Sequence, residues 1–301
     1  FGEKPLYYFK KKNKFFFASE LKAFIKLNVS NQPKIDDSRI LWSSLPSKST
    51  FLENVYNLEP GSYLTLRENI TKIERWWDIN QNISPKSETN YLENCEKFSD
   101  LFKDACKIRM RSDVPFASAV SGGLDSSAVF SAIYEILRSG DTKDRILQNN
   151  YTPFSLRYLN SKNDESDYVK KLVDNKSVNP EFVEIDTNDI DPKDLINTTY
   201  SFEGIQEPHF GPWKIYKEMK KNGFSVSLDG HGADELLGGY MIHLESAIKD
   251  GALDFRSNRF KEIKTLIQNV KIPDQKSQFL KSSRAGVIVK IVFEKIKLMK
   301  F

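Results

Sequence analysis

The spacing of apolar residues predicts a β-rich beginning of the chain. Residues 5–10 and 14–18 are short aromatic-rich runs on either side of a lysine-rich turn, a pattern typical of a hairpin. Residues 58–66, LEPGSYLTL, place a Pro-Gly turn before an alternating strand, and residues 71–79, TKIERWWDI, are predicted to be its partner. We therefore expect the first 80 residues to be mainly β, with one or two helices.

After this region the pattern changes, first to a linker and then to alternating strands and helices. Residues 80–90, NQNISPKSETN, carry almost no apolar side chains and include a proline. From Tyr91 the apolar residues follow a helical period. Strands are then predicted at 114–120, 152–158, 181–185 and 224–228, and helices at 126–137, 165–173 and 211–223. Such alternation is typical of an α/β fold, in which helices cover a parallel sheet.

Composition and charge argue against two classes of partner. The chain has 301 residues, of which 39% are hydrophobic and 29% charged, as expected for a soluble globular protein. No run approaches the roughly 20 apolar residues of a membrane span. Because the net charge of +4 is spread along the sequence, we expect neither a membrane nor a nucleic acid as partner. Cys95 and Cys106 are too few for a disulfide framework, so we expect both to be buried and the protein to be cytoplasmic.

The stretch SGGLDSS, residues 121–127, lies between a predicted buried strand and a predicted helix. Ligands of parallel α/β sheets bind at the carboxyl ends of strands, and a helix N-terminus offers free N–H groups to an anion. Gly122 and Gly123 would let backbone amides approach a phosphate, and Asp125 could bind Mg²⁺. Hydroxyl donors are available from Ser121, Ser126 and Ser127. The stretch lacks the Walker lysine motif, so it predicts a phosphate site of another kind.

A second loop has the same setting. Residues 225–240, SVSLDGHGADELLGGY, run from an apolar strand through a glycine-rich acidic turn into a predicted helix. Asp125 and Asp234 could bind one Mg²⁺ together with water and phosphate oxygens. The alternative is that Asp234 and Glu235 only complement the dipole of the helix that they begin.

These stretches resemble the ATP-pyrophosphatase (PP-loop) signature of the asparagine synthetase family. RMRSDVPFASAVSGGLDSS (109–127), DESDYVKKLV (164–173) and GADELLGGY (232–240) match its signatures in the right order. FGEKPLYY, FFFASELKAFI and LEPGSYLTL are similar to the second half of the family's glutaminase domain. The resemblance covers about residues 1–245 and implies an α/β fold. Its parallel PP-loop sheet, of the adenine nucleotide alpha hydrolase type with flanking helices, would follow a partial, mainly β, α+β glutaminase domain of the Ntn type.

The resemblance also implies a division of the chain. Residues 1–80 would be the C-terminal half of a glutamine amidotransferase domain, 81–90 a linker, 91–250 the ATP-pyrophosphatase or synthetase domain, and 251–301 a helical extension of unknown function. The family's glutaminase nucleophile is an amino-terminal cysteine, whereas this sequence begins with Phe1. We therefore interpret the chain as a fragment that should not itself hydrolyse glutamine. A carboxyl-terminal lysine expected near the acyl-adenylate cannot be placed.

The implied activity is ATP-dependent amide formation. A substrate carboxylate would attack the α-phosphorus of ATP, Mg-pyrophosphate would leave, and an amine would attack the acyl-adenylate. The cofactors would be ATP and Mg²⁺, the substrate a small-molecule or peptide carboxylate, the amine source glutamine or ammonia, and the assembly a homodimer. The residues implied for ATP and pyrophosphate are Ser121, Gly122, Gly123, Asp125, Ser126, Ser127, Leu156 and Gly230, and those for Mg²⁺ are Asp125 and Asp234.

One departure from the family pattern concerns the acceptor side of the reaction. DGHGADE has His231 where the family usually has glutamate and Asp229 where it has serine. A neutral imidazole could accept a proton from an attacking amine, which makes His231 the candidate catalytic residue. The alternative is a histidine that only fills space in a polar loop. His209, in QEPHFGPW, lies in a loop that the family places near the acceptor.

Three functions therefore stay open. The leading hypothesis is an asparagine-synthase-like, glutamine-dependent amidotransferase. The second is a related amide ligase, similar to lasso-peptide cyclases or β-lactam synthetases, that joins the activated carboxylate to another amine. The third is a nucleotide-binding relative without catalysis.

Overall fold

The computed structural model describes most of the chain up to residue 240. The described residues are 2, 4–26, 48–68, 70–83, 90–140, 151–159, 161, 164–186, 188, 190–202, 210–240, 243 and 246. They belong to two compact units, Phe1–Asp229 and Gly230–Phe301. The expected helical extension at 251–301 and His209 lie outside the described residues.

The predicted amino-terminal hairpin is confirmed. Strands β1 (Tyr7–Lys11) and β2 (Lys14–Ala18) pair antiparallel, and β3 (Val55–Asn57) joins the other side of β1. The short helix α1 (Lys22–Ile25) packs beside this sheet. Its small core contains the buried side chains of Phe9, Leu21, Phe24, Leu52 and Val55. Alternating apolar residues thus form a sheet with one buried face, as strand periodicity requires.

The second predicted strand pair is also confirmed. β4 (Ser62–Arg67) and β5 (Ile70–Arg75) run antiparallel, with Ser62 opposite Arg75. Gly61, before β4, has a φ of +70°, and a Cβ there would overlap the carbonyl of Trp77. Glycine is therefore required at this turn. Most of the predicted linker, residues 84–89, lies outside the described residues.

A four-stranded parallel sheet follows, as the sequence predicts. Its strands are β6 (Phe116–Ala119), β7 (Tyr151–Tyr158), β8 (Glu181–Ile185) and β9 (Val226–Ser227). The order across the sheet is β8-β7-β6-β9, and every pairing is parallel. Because β7 lies on one side of β6 and β9 on the other, the carboxyl ends of β6 and β9 form the topological switch point, where ligands of such sheets bind.

Helices cover both faces of this sheet. They are α2 (Tyr91–Arg109), α3 (Leu124–Ser139), α4 (Ser166–Val173), α5 (Pro192–Phe202) and α6 (Phe210–Lys221). Successive residues of a strand point to opposite faces. Accordingly, Ala117 packs with Phe154 and Ile215 in one core cluster, whereas Phe116 packs with Ile133 in another. Each buried Phe or Ile side chain among these stabilises the fold by about 1.5–3 kcal/mol.

One helix in this part of the chain was not predicted, and one prediction is wrong. Helix α5 was not predicted, because its apolar residues are few and Ile196 is exposed. Asp191 supports its start by accepting a hydrogen bond from the Lys193 N–H at 2.8 Å. Cys106 is buried as expected, but the prediction for Cys95 is wrong, since it lies on the exposed side of α2. In the described part of the chain, no helix is long and apolar enough to cross a membrane.

Candidate functional site

The SGGLDSS stretch lies where the sequence places it, between strand β6 and helix α3. β6 ends at Ala119 and α3 begins at Leu124. The buried Val120 still donates a hydrogen bond to the Phe154 carbonyl of β7, at 2.8 Å. The loop therefore leaves the sheet at residue 121, at the carboxyl end of a central strand.

Gly122 and Gly123 shape the loop in different ways. Gly122 has a φ of +80°, and a Cβ there would lie 2.6 Å from the Cβ of Tyr168 on α4. Only glycine fits this close approach. Gly123 is the N-cap of α3, and the first backbone bond of the helix runs from the Ser127 N–H to the Gly123 carbonyl at 3.0 Å. Because glycine has no side chain to cap the first turn, those N–H groups remain available to an anion.

Ser121 and Ser126 connect the two ends of the loop. Their hydroxyl oxygens are 3.1 Å apart, and the Ser126 hydroxyl also accepts from the Ser121 N–H at 3.2 Å. The Ser121 hydroxyl accepts from the Gly123 N–H at 3.2 Å, and the Ser126 hydroxyl donates to the Gly123 carbonyl at 3.3 Å. These bonds hold the loop in a tight arc. The structure thus brings together four of the predicted phosphate-binding residues: Ser121, Gly122, Gly123 and Ser126.

The remaining predicted residues of this unit lie on the elements that flank the loop. Asp125 and Ser127 are half-buried in the first turn of α3. A carboxylate there complements the helix dipole and presents the hard oxygen ligands that Mg²⁺ prefers. Leu156, on β7, is half-buried and packs against the same cluster as Ile215 of α6. Among the described residues, no group of three or more His, Cys, Asp and Glu side chains could hold a metal ion.

Asp164 joins the end of β7 to the start of α4. Its carboxylate accepts from the Tyr158 N–H at 3.3 Å, the Ser166 N–H at 3.3 Å and the Ser166 hydroxyl at 2.8 Å. Desolvation raises the pKa of this carboxyl, but the hydrogen bonds from Ser166 and Tyr158 outweigh it and the pKa lies below its usual value. Asp164 therefore fixes the helix whose Tyr168 contacts the loop at Gly122.

Asp229 is a polar anchor that sequence reasoning noted only as a departure from the family pattern. One carboxylate oxygen accepts from the Ala119 N–H at 2.7 Å and the Ser227 hydroxyl at 2.6 Å. The other accepts from the Tyr216 hydroxyl at 2.6 Å. Burial, and then the hydrogen bond to Asp229, raise the pKa of Tyr216 well above its usual value, so the tyrosine remains a donor. The sequence feature that could have indicated this role is a carboxylate directly after an apolar strand.

The second unit contains the remaining predicted residues, and the GADELLGGY sequence explains its local structure. Gly230 is half-buried, His231 is exposed, and Asp234 lies in the first turn of helix α7 (Ala233–Leu237). The N–H groups of Gly238 and Gly239 both donate to the Asp234 carbonyl at 2.9 Å. A Cβ on Gly239 would overlap the Asp234 carboxylate. Glycine at 239 therefore makes room for the Asp234 side chain.

Glu235 has a different environment from its neighbour Asp234. Its carboxylate accepts a hydrogen bond from the Tyr240 hydroxyl at 2.9 Å. Its own backbone N–H, the Tyr240 hydroxyl and the nearby His231 lower the pKa of this exposed carboxyl. Glu235 thus has a partner within the motif.

A parallel α/β sheet with a glycine–serine loop between strand and helix at its switch point defines a nucleotide-binding class of protein. Comparison with protein families identifies the particular group. Residues 97–285 match the family model described as Asparagine synthase, and residues 1–77 match the one described as Glutamine amidotransferase domain. The chain belongs to the asparagine synthase family.

Several curated proteins are similar over about four-fifths of the chain. A Methanocaldococcus jannaschii protein, provisionally named asparagine synthetase (glutamine-hydrolyzing) 2, is 31% identical over 81% of this chain and 46% of its own. Asparagine synthetase (glutamine-hydrolyzing) 1 of Bacillus subtilis is 30% identical over 81% of this chain and 37% of its own. Amidase chry2 of Gibberella zeae is 26% identical over 80% of this chain and 37% of its own. The chain therefore spans less than half the length of these relatives.

Proposed function

We propose that this chain is the ATP-using part of an amide-forming amidotransferase. A substrate carboxylate attacks the α-phosphorus of ATP, the bond between the α-phosphorus and the bridging oxygen breaks, and pyrophosphate leaves. An amine then attacks the acyl-adenylate and releases AMP. The observation that carries this proposal is the SGGLDSS loop, whose tight arc ends in free helix N–H groups at the switch point of the sheet.

The proposed binding roles follow from the chemistry of the loop residues. Gly122 and Gly123 would let the N–H groups of the loop and of the first turn of α3 approach pyrophosphate, and the hydroxyls of the three loop serines would bind it as it develops charge. Leu156 and Gly230 would lie near the adenosine. The residues proposed for Mg²⁺ are Asp125 and Asp234, both of which offer hard oxygen ligands. Bound Mg²⁺ would neutralise phosphate charge.

The amine source is proposed to be glutamine, through ammonia. The match of residues 1–77 to a glutamine amidotransferase domain supports this proposal. We assign residues 1–80 to that domain, 81–90 to a linker, 91–250 to the synthetase domain and 251–301 to its extension. His231 is the candidate proton acceptor from the attacking amine.

The test is carboxylate-dependent exchange of labelled pyrophosphate into ATP, measured with the full-length protein. Exchange with aspartate, and asparagine formation after ammonia is added, would support an asparagine synthase. Exchange that needs another carboxylic acid or a peptide would favour the related amide ligase, an alternative supported by His231 and by the relative named as an amidase. ATP binding without exchange under any of these conditions would contradict the catalytic proposal.

The Mg²⁺ roles have their own test. We expect Asp125→Asn and Asp234→Asn to abolish exchange without unfolding the protein, whereas Asp104→Asn, on the exposed side of α2, leaves it unchanged. Glu235→Gln, at the neighbouring position, is the variant with which Asp234→Asn is compared. If these two residues only complement the helix dipole, both substitutions will have the same small effect, because such interactions contribute about 0.3–1 kcal/mol.

A further inference from the structure

The pairing of β6 with β9 ends at Ala117, and three residues separate it from Ser121, where the SGGLDSS loop begins. The last main-chain hydrogen bond of this pair runs from the Leu228 N–H to the Ala117 carbonyl, at 2.9 Å. In a continued parallel ladder, the Ala119 N–H would donate to a β9 main-chain carbonyl. It donates instead to the Asp229 carboxylate at 2.7 Å. A side chain therefore replaces the main-chain acceptor at the switch point.

The Asp229 carboxylate joins three elements at this place. Its donors are the Ala119 N–H of β6, the Ser227 hydroxyl of β9 and the Tyr216 hydroxyl of α6, all within 2.7 Å. A carboxylate only accepts hydrogen bonds, so both of its oxygens can serve these donors at once. Hydrogen bonds to a charged acceptor are about twice as strong as neutral ones. These bonds therefore hold β6, β9 and α6 together at this point.

We propose that Asp229 is a positioning residue that holds the pyrophosphate loop in its binding conformation. The end of β6 is held on one side by the Val120 bond to the Phe154 carbonyl and on the other by Asp229. Ser121 follows directly. An anion site acts best when its donors need no rearrangement on binding. The proposal rests on the proposed function, because it assigns Asp229 to the same loop.

Three substitutions separate the charge of Asp229 from its shape. Asp229→Ser removes one acceptor oxygen and shortens the side chain, so it cannot reach Ala119 and Tyr216 together. Asp229→Asn keeps the shape and one acceptor. Tyr216→Phe removes a single donor. The matched control is Asp186→Ser, because Asp186 likewise follows a strand of the sheet, β8, and its carboxylate accepts from the nearby Asn188 N–H, at 2.9 Å.

The experiment measures the KM for ATP in pyrophosphate exchange with the full-length protein, at a temperature where circular dichroism shows every variant folded. We expect Asp229→Ser to raise this KM roughly tenfold, because hydrogen bonds to charged groups are lost. The kcat should change less than the KM. Asp229→Asn should recover part of the loss, Tyr216→Phe should have a smaller effect, and Asp186→Ser should have none.

Hydrogen exchange at residues 116–123 gives an independent measurement. We expect Asp229→Ser to accelerate exchange of the Ala119 amide and of the loop amides that follow. If hydrogen exchange of the loop becomes faster in Asp229→Ser but the KM for ATP is unchanged, Asp229 has only a structural role and the proposal is overturned. Unchanged hydrogen exchange of the Ala119 amide would also overturn it. If the wild-type protein itself exchanges no pyrophosphate, the proposed function fails. The Asp229 proposal is then tested by the affinity for ATP, measured from the change in hydrogen exchange as ATP is added. Equal affinity in wild type and Asp229→Ser overturns it.

Discussion

Gly122 provides the sharpest test of the loop geometry, through the substitution Gly122→Ala. The new Cβ would lie 2.6 Å from the Tyr168 Cβ, whereas carbon atoms pack best at about 3.6 Å. Helix α4 or the loop must therefore move by about 1 Å. The positive φ adds roughly 1–2 kcal/mol of strain, and overpacking typically costs about 1–3 kcal/mol. We expect the free energy of unfolding to fall by roughly 2–5 kcal/mol, which a domain of ordinary stability survives.

The same displacement should reduce catalysis in the protein that stays folded. A displacement of about 1 Å can reduce the rate on the order of a hundredfold when it misplaces reacting groups. We therefore expect pyrophosphate exchange by Gly122→Ala to fall about that much. The matched control is Gly140→Ala at the end of α3, where φ is +68° but no atom of the other described residues lies within 4 Å of the new Cβ. It should lose only the strain energy and keep its exchange activity.

A double substitution distinguishes the overlap from a general effect of alanine. The overlapping atom is the Cβ of Tyr168, which Tyr168→Ala retains and Tyr168→Gly removes. In the Gly122→Ala background, Tyr168→Gly should restore part of the exchange activity, and Tyr168→Ala should restore none. A double-mutant cycle in thermal unfolding should show the same coupling. Full activity of Gly122→Ala, or equal rescue by both substitutions, would refute this account of the loop.

The remaining predictions concern the second unit and the sheet. Gly239→Ala should displace the Asp234 carboxylate and raise the Mg²⁺ concentration needed for half-maximal exchange, and an unchanged Mg²⁺ dependence would contradict the role of this glycine. His231→Glu should keep or improve ammonia use in amide formation, and complete loss of product would tie His231 to another substrate. Burial raises the pKa of Tyr151 well above its usual value of about 10. Above about pH 10 the unfolded chain therefore loses this proton before the folded protein does, so the folded state becomes less stable as the pH rises further. Chemical denaturation between neutral and alkaline pH should therefore show a steeper loss for wild type than for Tyr151→Phe, and parallel curves would refute this linkage.

The order of elements in the parallel sheet could be predicted because its signals are local. An apolar run, a glycine–serine turn and a helical period follow one another along the chain, so the strand–loop–helix setting of residues 114–137 needed no knowledge of distant residues. Helix α5 was not predicted, and a polar residue occupies one of its buried positions. Thr198 is fully buried and donates to the Asp194 carbonyl at 2.8 Å.

The contacts of Asp229 could not be predicted, since its partners are distant in sequence. Tyr216 is 13 residues away and Ala119 is 110 residues away. The same contacts explain an error in strand length. The sequence predicts a strand over 224–228, but within it only Val226–Ser227 pairs with β6. Beyond this pair, the Ala119 N–H donates to the Asp229 side chain.

Two side-chain carboxylates lie beside the SGGLDSS loop, where the main-chain hydrogen bonds of the parallel sheet end. Asp164 binds the last part of β7 to the start of α4, which places Tyr168 against Gly122. Asp229 binds the end of β6 to β9 and α6. Backbone groups at a strand end have lost their ladder partners and must find others when they are buried. A carboxylate satisfies several such donors at once, so these two residues give the loop a fixed frame while the N–H groups in the first turn of α3 stay available to an anion.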